Sequence, residues 1–395
     1  MERAMAPLVV HASYVLTPHE AIPDGIVVVE DGKITAAGHR DEVQVPAGAE
    51  DCVANGMSLT PGFVDVHIHG AGGHDVMEAT PEALHEVAAM VARYGTTSLV
   101  ATTVTAPPDE TCRSLERIAA YIRNGQALER HARPAAEILG IHLEGPFISH
   151  VRRGVHPEDA IAPPSVELME RFLAAADGCA KILTLAPELP GALELVEAAA
   201  KAGLIVALGH TDASYEQARA AIDRGARHAV HVFNAMRPFS HRETGVLGAI
   251  FTEPELTAEI IADGLHVDGP AIKLLLAAKG PGQVLAVSDG TAATGMPDGR
   301  YRLGNMEVEV SGGVCRNFEG KLAGSTLMLD RALRNLISLG VPSLEALRMV
   351  TLYPARRLGL AGKKGAIAPG ADADLVVLTP ELQVAGVLTR GVGLE

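Results

Sequence analysis

The chain has 395 residues, 48% of them apolar and 21% charged, enough to bury the core of one large α/β domain with something smaller beside it. A formal net charge of −15 argues against a nucleic-acid surface while leaving room for a local basic pocket. Cys52, Cys112, Cys179 and Cys315 show no CxxC spacing, which suggests neither a disulfide framework nor a thiolate zinc site and suits a reducing cytoplasm.

At the N-terminus, MERAMAPLVVHASYVLTPHE has a short apolar stretch broken by His11 and Pro18 and lacks a small-residue cleavage signature, so neither membrane insertion nor export is expected. Short strand patterns follow, separated by turns at Pro23-Asp24-Gly25 and Glu30-Asp31-Gly32. A further turn-and-strand unit, GAIAPGADADLVVLT, closes the chain. Together the ends are expected to form one small β domain, residues 1–60 plus 361–395, flanking a catalytic region at 61–360.

In that middle region, β-branched apolar runs alternate with helix-patterned runs, the signature of βα units and a parallel sheet. The strand candidates begin at Phe63 (FVDVHIH), Thr97 (TSLVATTV), Glu137 (EILGIHLEG), Lys181 (KILTLAPE), Leu204 (LIVALGH), His228 (HAVHVFN), Leu256 (LTAEIIADG) and Gln283 (QVLAVSDG). These eight runs are the number that closes a (β/α)8 barrel of the TIM type. Thr80-Pro81 opens a helix that Gly95 closes, and similar punctuation brackets 191–203 and 269–280. After the eighth run, RYRLGNMEVEVSGGVCRNFEG predicts a β-hairpin excursion at the barrel mouth, followed by helices over 326–339 and 343–358.

Barrel enzymes carry their chemistry at the C-terminal ends of the strands. Here strand one ends in His67 and His69, strand three in Glu144 and strand five in His210; strand six presents His231 and strand eight ends in Asp289. Imidazoles two residues apart on a strand point to the same side and can close on one ion. The joint pattern predicts an open catalytic site for divalent zinc, iron, manganese or cobalt, one or two ions per chain. Glu144 would bridge two ions, with His67, His69 and Asp289 on one side and His210 and His231 on the other. Asp289 would take the proton of a shared water and pass it to a leaving amine, as the catalytic carboxylate. His142 is expected in a supporting role, and His228 on the face opposite His231 as a structural residue.

With these ligands in this order the chain resembles the amidohydrolase superfamily. Many of its members bridge their metals with a carboxylated lysine at the end of strand four, whereas here that strand ends TLAPE and its lysine, Lys181, stands at the other end. The blocks PGFVDVHIHG, GIHLEGPF, GVHPEDA, LGHTDASYEQ, HVFNAM, IADGLHVD and LAGSTLML instead are similar to the N-acetylglucosamine-6-phosphate deacetylases, over nearly the whole chain. The resemblance implies hydrolysis of a phosphorylated N-acetylamino sugar to acetate and the free amino sugar phosphate, with no nucleic-acid or membrane partner. It also implies a homodimer in which Arg242 and His266 reach the substrate phosphate across the interface, with His156, Asn234 and Ala235 as further substrate contacts. Some members of that family lack the HxH pair and work with one metal, so the pair at His67 and His69 implies up to two ions. Rival readings are an N-acetylgalactosamine-6-phosphate deacetylase, an N-acyl amino acid deacylase, a cyclic amidase, or a silent relative that has lost its ligands.

Overall fold

The computed structural model describes residues 6–126, 133–280 and 282–394; residues 1–5 and 395, at the outer limits of the expected terminal domain, lie outside the described residues. The middle of the chain forms one eight-stranded parallel sheet in sequential order: Phe63–Ile68, Thr96–Thr103, Glu137–Glu144, Ala180–Leu185, Ile205–Leu208, Ala226–Ala229, Thr257–Ile260 and Val284–Ala286. All eight apolar runs picked out by sequence are therefore strands. They read as near-continuous hydrophobic stretches because both of their faces are covered, and Phe63–Ile68 and Thr96–Thr103 are buried along their whole length.

The sheet closes on itself just beyond its last strand. The Asp289 N–H donates to the carbonyl of His67 at 2.9 Å, and the His69 N–H donates to the carbonyl of Gly290 at 2.8 Å. The bonds that shut the barrel thus run through the residues expected to carry its chemistry. Helices follow each of the first seven strands, beginning with Pro81–Ala92 and Pro108–Arg123. Local side chains start some of them: the Thr80 hydroxyl accepts from the Ala83 N–H, and Ser214 with Gln217 completes a reciprocal cap before Tyr215–Asp223.

After strand eight the expected excursion is a three-stranded antiparallel sheet, Gly299–Leu303, Met306–Ser311 and Val314–Asn317, with its own small core. The helical run expected over 343–358 is two helices, Ser343–Val350 and Leu352–Arg357, broken at Thr351, where φ is −129° and ψ −84°. The termini join in a seven-stranded sheet in which Leu375–Leu378 pairs antiparallel with the end of Glu50–Pro61. That sheet curls until Ile34 and Ala371 exchange a backbone bond, enclosing Val10, Val27, Leu59 and Leu388.

Lys364 joins the two bodies. Its side chain is fully buried, and its ammonium lies 2.5 Å from Glu137 at the start of barrel strand three, 2.7 Å from Asp374 and 2.9 Å from Asp372. Although burial opposes the charge, Asp374 and Glu137 hold the ammonium well above its ordinary pKa. Removing it would strand three carboxylates in low dielectric. Lys364→Met is therefore expected to cost about 3–5 kcal/mol of stability by denaturant unfolding; an unchanged midpoint would show that the cluster is solvated.

Candidate metal centre

Glu144, at the tip of barrel strand three, is the focus of the site. Its Oε1 lies 3.0 Å from Nε2 of His231, 3.2 Å from Nε2 of His210 and 3.3 Å from Nε2 of His67. Its Oε2 lies 3.2 Å from Nε2 of His69 and 3.5 Å from Nε2 of His156. Asp289 completes the ring, with Oδ1 3.3 Å from His69 Nε2 and 3.7 Å from His67 Nε2. All of these side chains are buried or nearly so.

Three of the residues reach the focus by bending the backbone. His210 and His231 lie two residues beyond strands that end at Leu208 and Ala229, and they have φ of +46° and +27°; Asp289 has φ of +50°. Left-handed backbone at a residue with a Cβ costs on the order of 1–3 kcal/mol and persists only where the surroundings enforce it. His231 is thus not on strand six, as the sequence pattern suggested, but past its end. For the same reason strict alternation fails for His228. It points into the barrel, with its Nε2 2.9 Å from Oε1 of Glu259, instead of facing away from the site.

The second ring nitrogens sort the imidazoles by chemistry. Nδ1 of His67 donates to Glu259 Oε2 at 2.8 Å, Nδ1 of His69 to the Thr102 carbonyl at 3.1 Å, and Nδ1 of His210 to the Arg152 carbonyl at 3.0 Å. With the proton held on Nδ1, each presents an Nε2 lone pair to the centre, the form that binds a metal. His156 is arranged the other way. Its Nδ1 accepts the Thr105 N–H at 3.3 Å, so the neutral ring carries its proton on Nε2 and offers the site a donor.

A divalent cation fits these residues. His67 Nε2 is buried without a hydrogen-bond partner, and the Nε2 lone pair of His210 lies 3.1 Å from Nε2 of His231, which also reaches Glu144, so a cation between them would satisfy both rings. Atoms able to hold an ion gather as His67, His69 and Asp289 and as His67, Glu144 and His231. Without sulfur and with carboxylate and imidazole donors, the set suits an open catalytic ion. Burial opposes ionisation of Asp289, but when His69 and His67 are protonated the bond to His69 and their positive charges hold its carboxyl below the ordinary aspartate range. Burial lowers His210 to about 4, keeping that ring neutral.

Above the centre opens a cavity of about 240 Å³. His69, Glu144, His156, His210, His231 and Asp289 line it, as do Asn234, Ala235 and His266. His266 is held by its Nδ1 on Asp263 at 2.7 Å and lines the cavity of its own chain, so its position there does not call on a second subunit. Arg242 is the expected residue that does not join: it is exposed in the loop after Arg237 and lies outside the lining.

Sequence reasoning missed Glu259. Fully buried in strand seven, it holds the His67 ring, the His228 ring and, at 3.2 Å, the His231 N–H. The signal was a lone carboxylate inside the apolar run LTAEII. His142 has the supporting place expected of it, its Nε2 2.7 Å from the Thr184 hydroxyl and its ring 4.7 Å from that of His67.

A model of the amidohydrolase family matches residues 58–392. The N-acetylgalactosamine-6-phosphate deacetylase of Escherichia coli O157:H7 is 36% identical over 384 residues, covering 97% of this chain and 98% of that protein. The N-acetylglucosamine-6-phosphate deacetylase of Bacillus subtilis is 36% identical over 385 residues, covering 95% and 94%. Among solved structures, an aspartate-to-alanine mutant of the N-acetyl-D-glucosamine-6-phosphate deacetylase of Mycobacterium smegmatis, in complex with N-acetyl-D-glucosamine-6-phosphate, superposes with a TM-score of 0.91. It is 35% identical and covers 99% of this chain and 100% of its own.

Supporting partners of ligating histidines typically contribute 10–100-fold to metal affinity. Glu259→Gln is therefore expected to weaken divalent-metal binding by about that factor in competition with a chelator. Unchanged affinity would mean that Glu259 serves only the barrel core.

Proposed function

The chain belongs to the amidohydrolase family, and on that premise we propose that it is an enzyme that hydrolyses the acetamide of N-acetylglucosamine 6-phosphate, giving acetate and glucosamine 6-phosphate. The observation that carries this reading is the convergence of five imidazoles on Glu144 with Asp289 beside them, at the floor of a cavity, in a chain similar over its length to deacetylases of such sugars. The galacto epimer is the second reading, favoured by the similarity to the Escherichia coli enzyme.

Up to two divalent ions, zinc, iron, manganese or cobalt, are proposed: His210 and His231 would hold one, His67, His69 and Asp289 the other, and Glu144 would bridge them. Such ions supply Lewis-acid polarisation of the acetamide carbonyl and make a water acidic near neutral pH. Asp289 takes a proton from the attacking water as the water oxygen bonds to the carbonyl carbon. His156 Nε2–H donates to the oxygen that gains negative charge. When the C–N bond breaks, Asp289 returns its proton to the sugar nitrogen, so the amine departs neutral and the water oxygen leaves in acetate. Asn234, Ala235 and His266, on the cavity wall, are the proposed sugar-phosphate contacts. The exposure of Arg242 outside its own cavity accords with a homodimer in which its guanidinium fork reaches a partner's substrate phosphate. Among the described residues no helix is long and apolar enough to cross a membrane, and the four cysteines are unpaired, as suits a reducing cytoplasm.

Released amine measured from both epimeric sugar phosphates and from their unphosphorylated forms, with enzyme of known metal content, tests the reaction. Turnover of neither phosphorylated sugar would end the proposal. Asp289→Asn is expected to retain most of its metal while kcat falls on the order of 100-fold or more; wild-type turnover in that variant would remove Asp289 from the mechanism. Arg242→Ala is expected to raise KM for the phosphorylated sugar alone. An equal effect on both forms would exclude it as the phosphate anchor.

A further inference from the structure

The cavity has two chemically different sides. Asn234 and His266 make one of them polar, whereas Val104, Val155, Leu303 and Leu322 make the other apolar. Leu303 and Leu322 of the apolar side come from the excursion after strand eight, and Val104 and Val155 from the segments that follow strands two and three. Val104 and Leu303 belong to the excursion's small core with Val308 and Val310, and Val155 packs against that core. One hydrophobic cluster therefore both folds the excursion and walls the cavity.

The position of this wall is fixed. Asp75 Oδ2 accepts the Gly304 N–H at 2.7 Å, and Asn305 Nδ2 donates to Glu110 at 2.7 Å, so the turn after Leu303 is tied to the segment after strand one and to the first turn of the helix Pro108–Arg123. The wall also adjoins the reacting groups. Val104 immediately precedes Thr105, whose N–H sets the His156 ring. Leu322 stands two residues before Gly324, where an added Cβ would meet the Asp289 carbonyl at 2.9 Å. Apolar surface thus stands beside His156 and Asp289, where the scissile amide must lie.

A phosphorylated N-acylamino sugar presents hydroxyls or phosphate around most of its periphery, and the acyl chain is its one purely hydrocarbon end. Setting a hydroxyl against leucine without a partner loses free energy, whereas a methyl placed there gains it. We propose that Val104, Leu303 and Leu322 form the acyl subsite, receiving the acyl methyl and limiting the length of chain the enzyme removes. This rests on the deacetylase reading and adds to it the determinant of acyl specificity. Because the wall is pinned at Asp75 and Glu110, a longer chain meets side chains that cannot swing away.

The test compares kcat/KM for the N-formyl, N-acetyl, N-propionyl and N-butyryl amino sugar phosphates, on the epimer the metal-loaded enzyme turns over faster. In the wild type each methylene beyond acetyl is expected to lower kcat/KM by about tenfold or more, the usual discrimination of an apolar pocket. Leu303→Ala and Leu322→Ala should each raise the butyryl-to-acetyl ratio by about tenfold or more, and Leu322→Phe should lower the acetyl-to-formyl ratio. Leu303 is only 3% exposed and its truncation can loosen the excursion, so the half-buried Leu322 pair decides the matter if that variant unfolds. Ratios that stay at wild-type values in the Leu322 variants would overturn the subsite while leaving the deacetylase reading intact. Absence of wild-type turnover on the N-acetyl substrate would overturn both.

Discussion

The whole site depends on one carboxylate, Glu144, standing within 3.5 Å of five imidazole nitrogens in a buried space. Such crowding is unfavourable for a protein by itself, since polar atoms removed from water need partners. It is tolerated because the rings are anchored from behind. His67, His69 and His210 each spend their Nδ1 proton on a barrel acceptor, so only the Nε2 lone pairs are directed inward. The fold thereby creates an electron-rich centre whose natural complement is a cation. His156, turned the other way by the Thr105 N–H, faces the centre as a donor.

The anchors come from separate strands, which explains why a barrel is needed. Glu259 on strand seven holds His67 of strand one, and Thr102 on strand two holds His69. The closing bonds between His67 and Asp289 and between His69 and Gly290 set the distance between strands one and eight. Any slip of register between neighbouring strands would move an imidazole away from its anchor and from Glu144 together. Left-handed backbone at His210, His231 and Asp289 is the local cost of aiming three side chains at one point.

This division explains what could be read from the sequence. The eight strands were legible because a doubly covered parallel strand must be apolar along its length, and the residues that gather around Glu144 were legible because each stands at or just past the end of such a run. His231 and His228 were misplaced because alternation describes a strand, and strand six stops at Ala229 before the chain bends. Glu259 escaped because its importance lies in a contact with His67, 192 residues away, which no local pattern encodes. The tautomers escaped for the same reason. The position of His266 in its own chain's cavity rests on a local turn after strand seven, in which Asp263 accepts from its N–H and holds its Nδ1.

The strand ends and the loops therefore answer different questions. Residues anchored through the barrel, Glu144, His67, His69, His210 and Asp289, are placed by constraints that any amide hydrolysis at this centre would share, so they say little about which amide is cut. Discrimination has to come from elements free to differ without disturbing the closure, and the cavity is bounded by two of them. The polar residues Asn234 and His266 follow strands six and seven; the apolar ones gather around the excursion after strand eight, whose core at Leu303, Val308 and Val310 also takes in Val104. A change in either can alter the accepted sugar or acyl group while Glu144 and its imidazoles stay where they are. This separation is how one barrel can keep a single chemistry and still be selective toward its substrate.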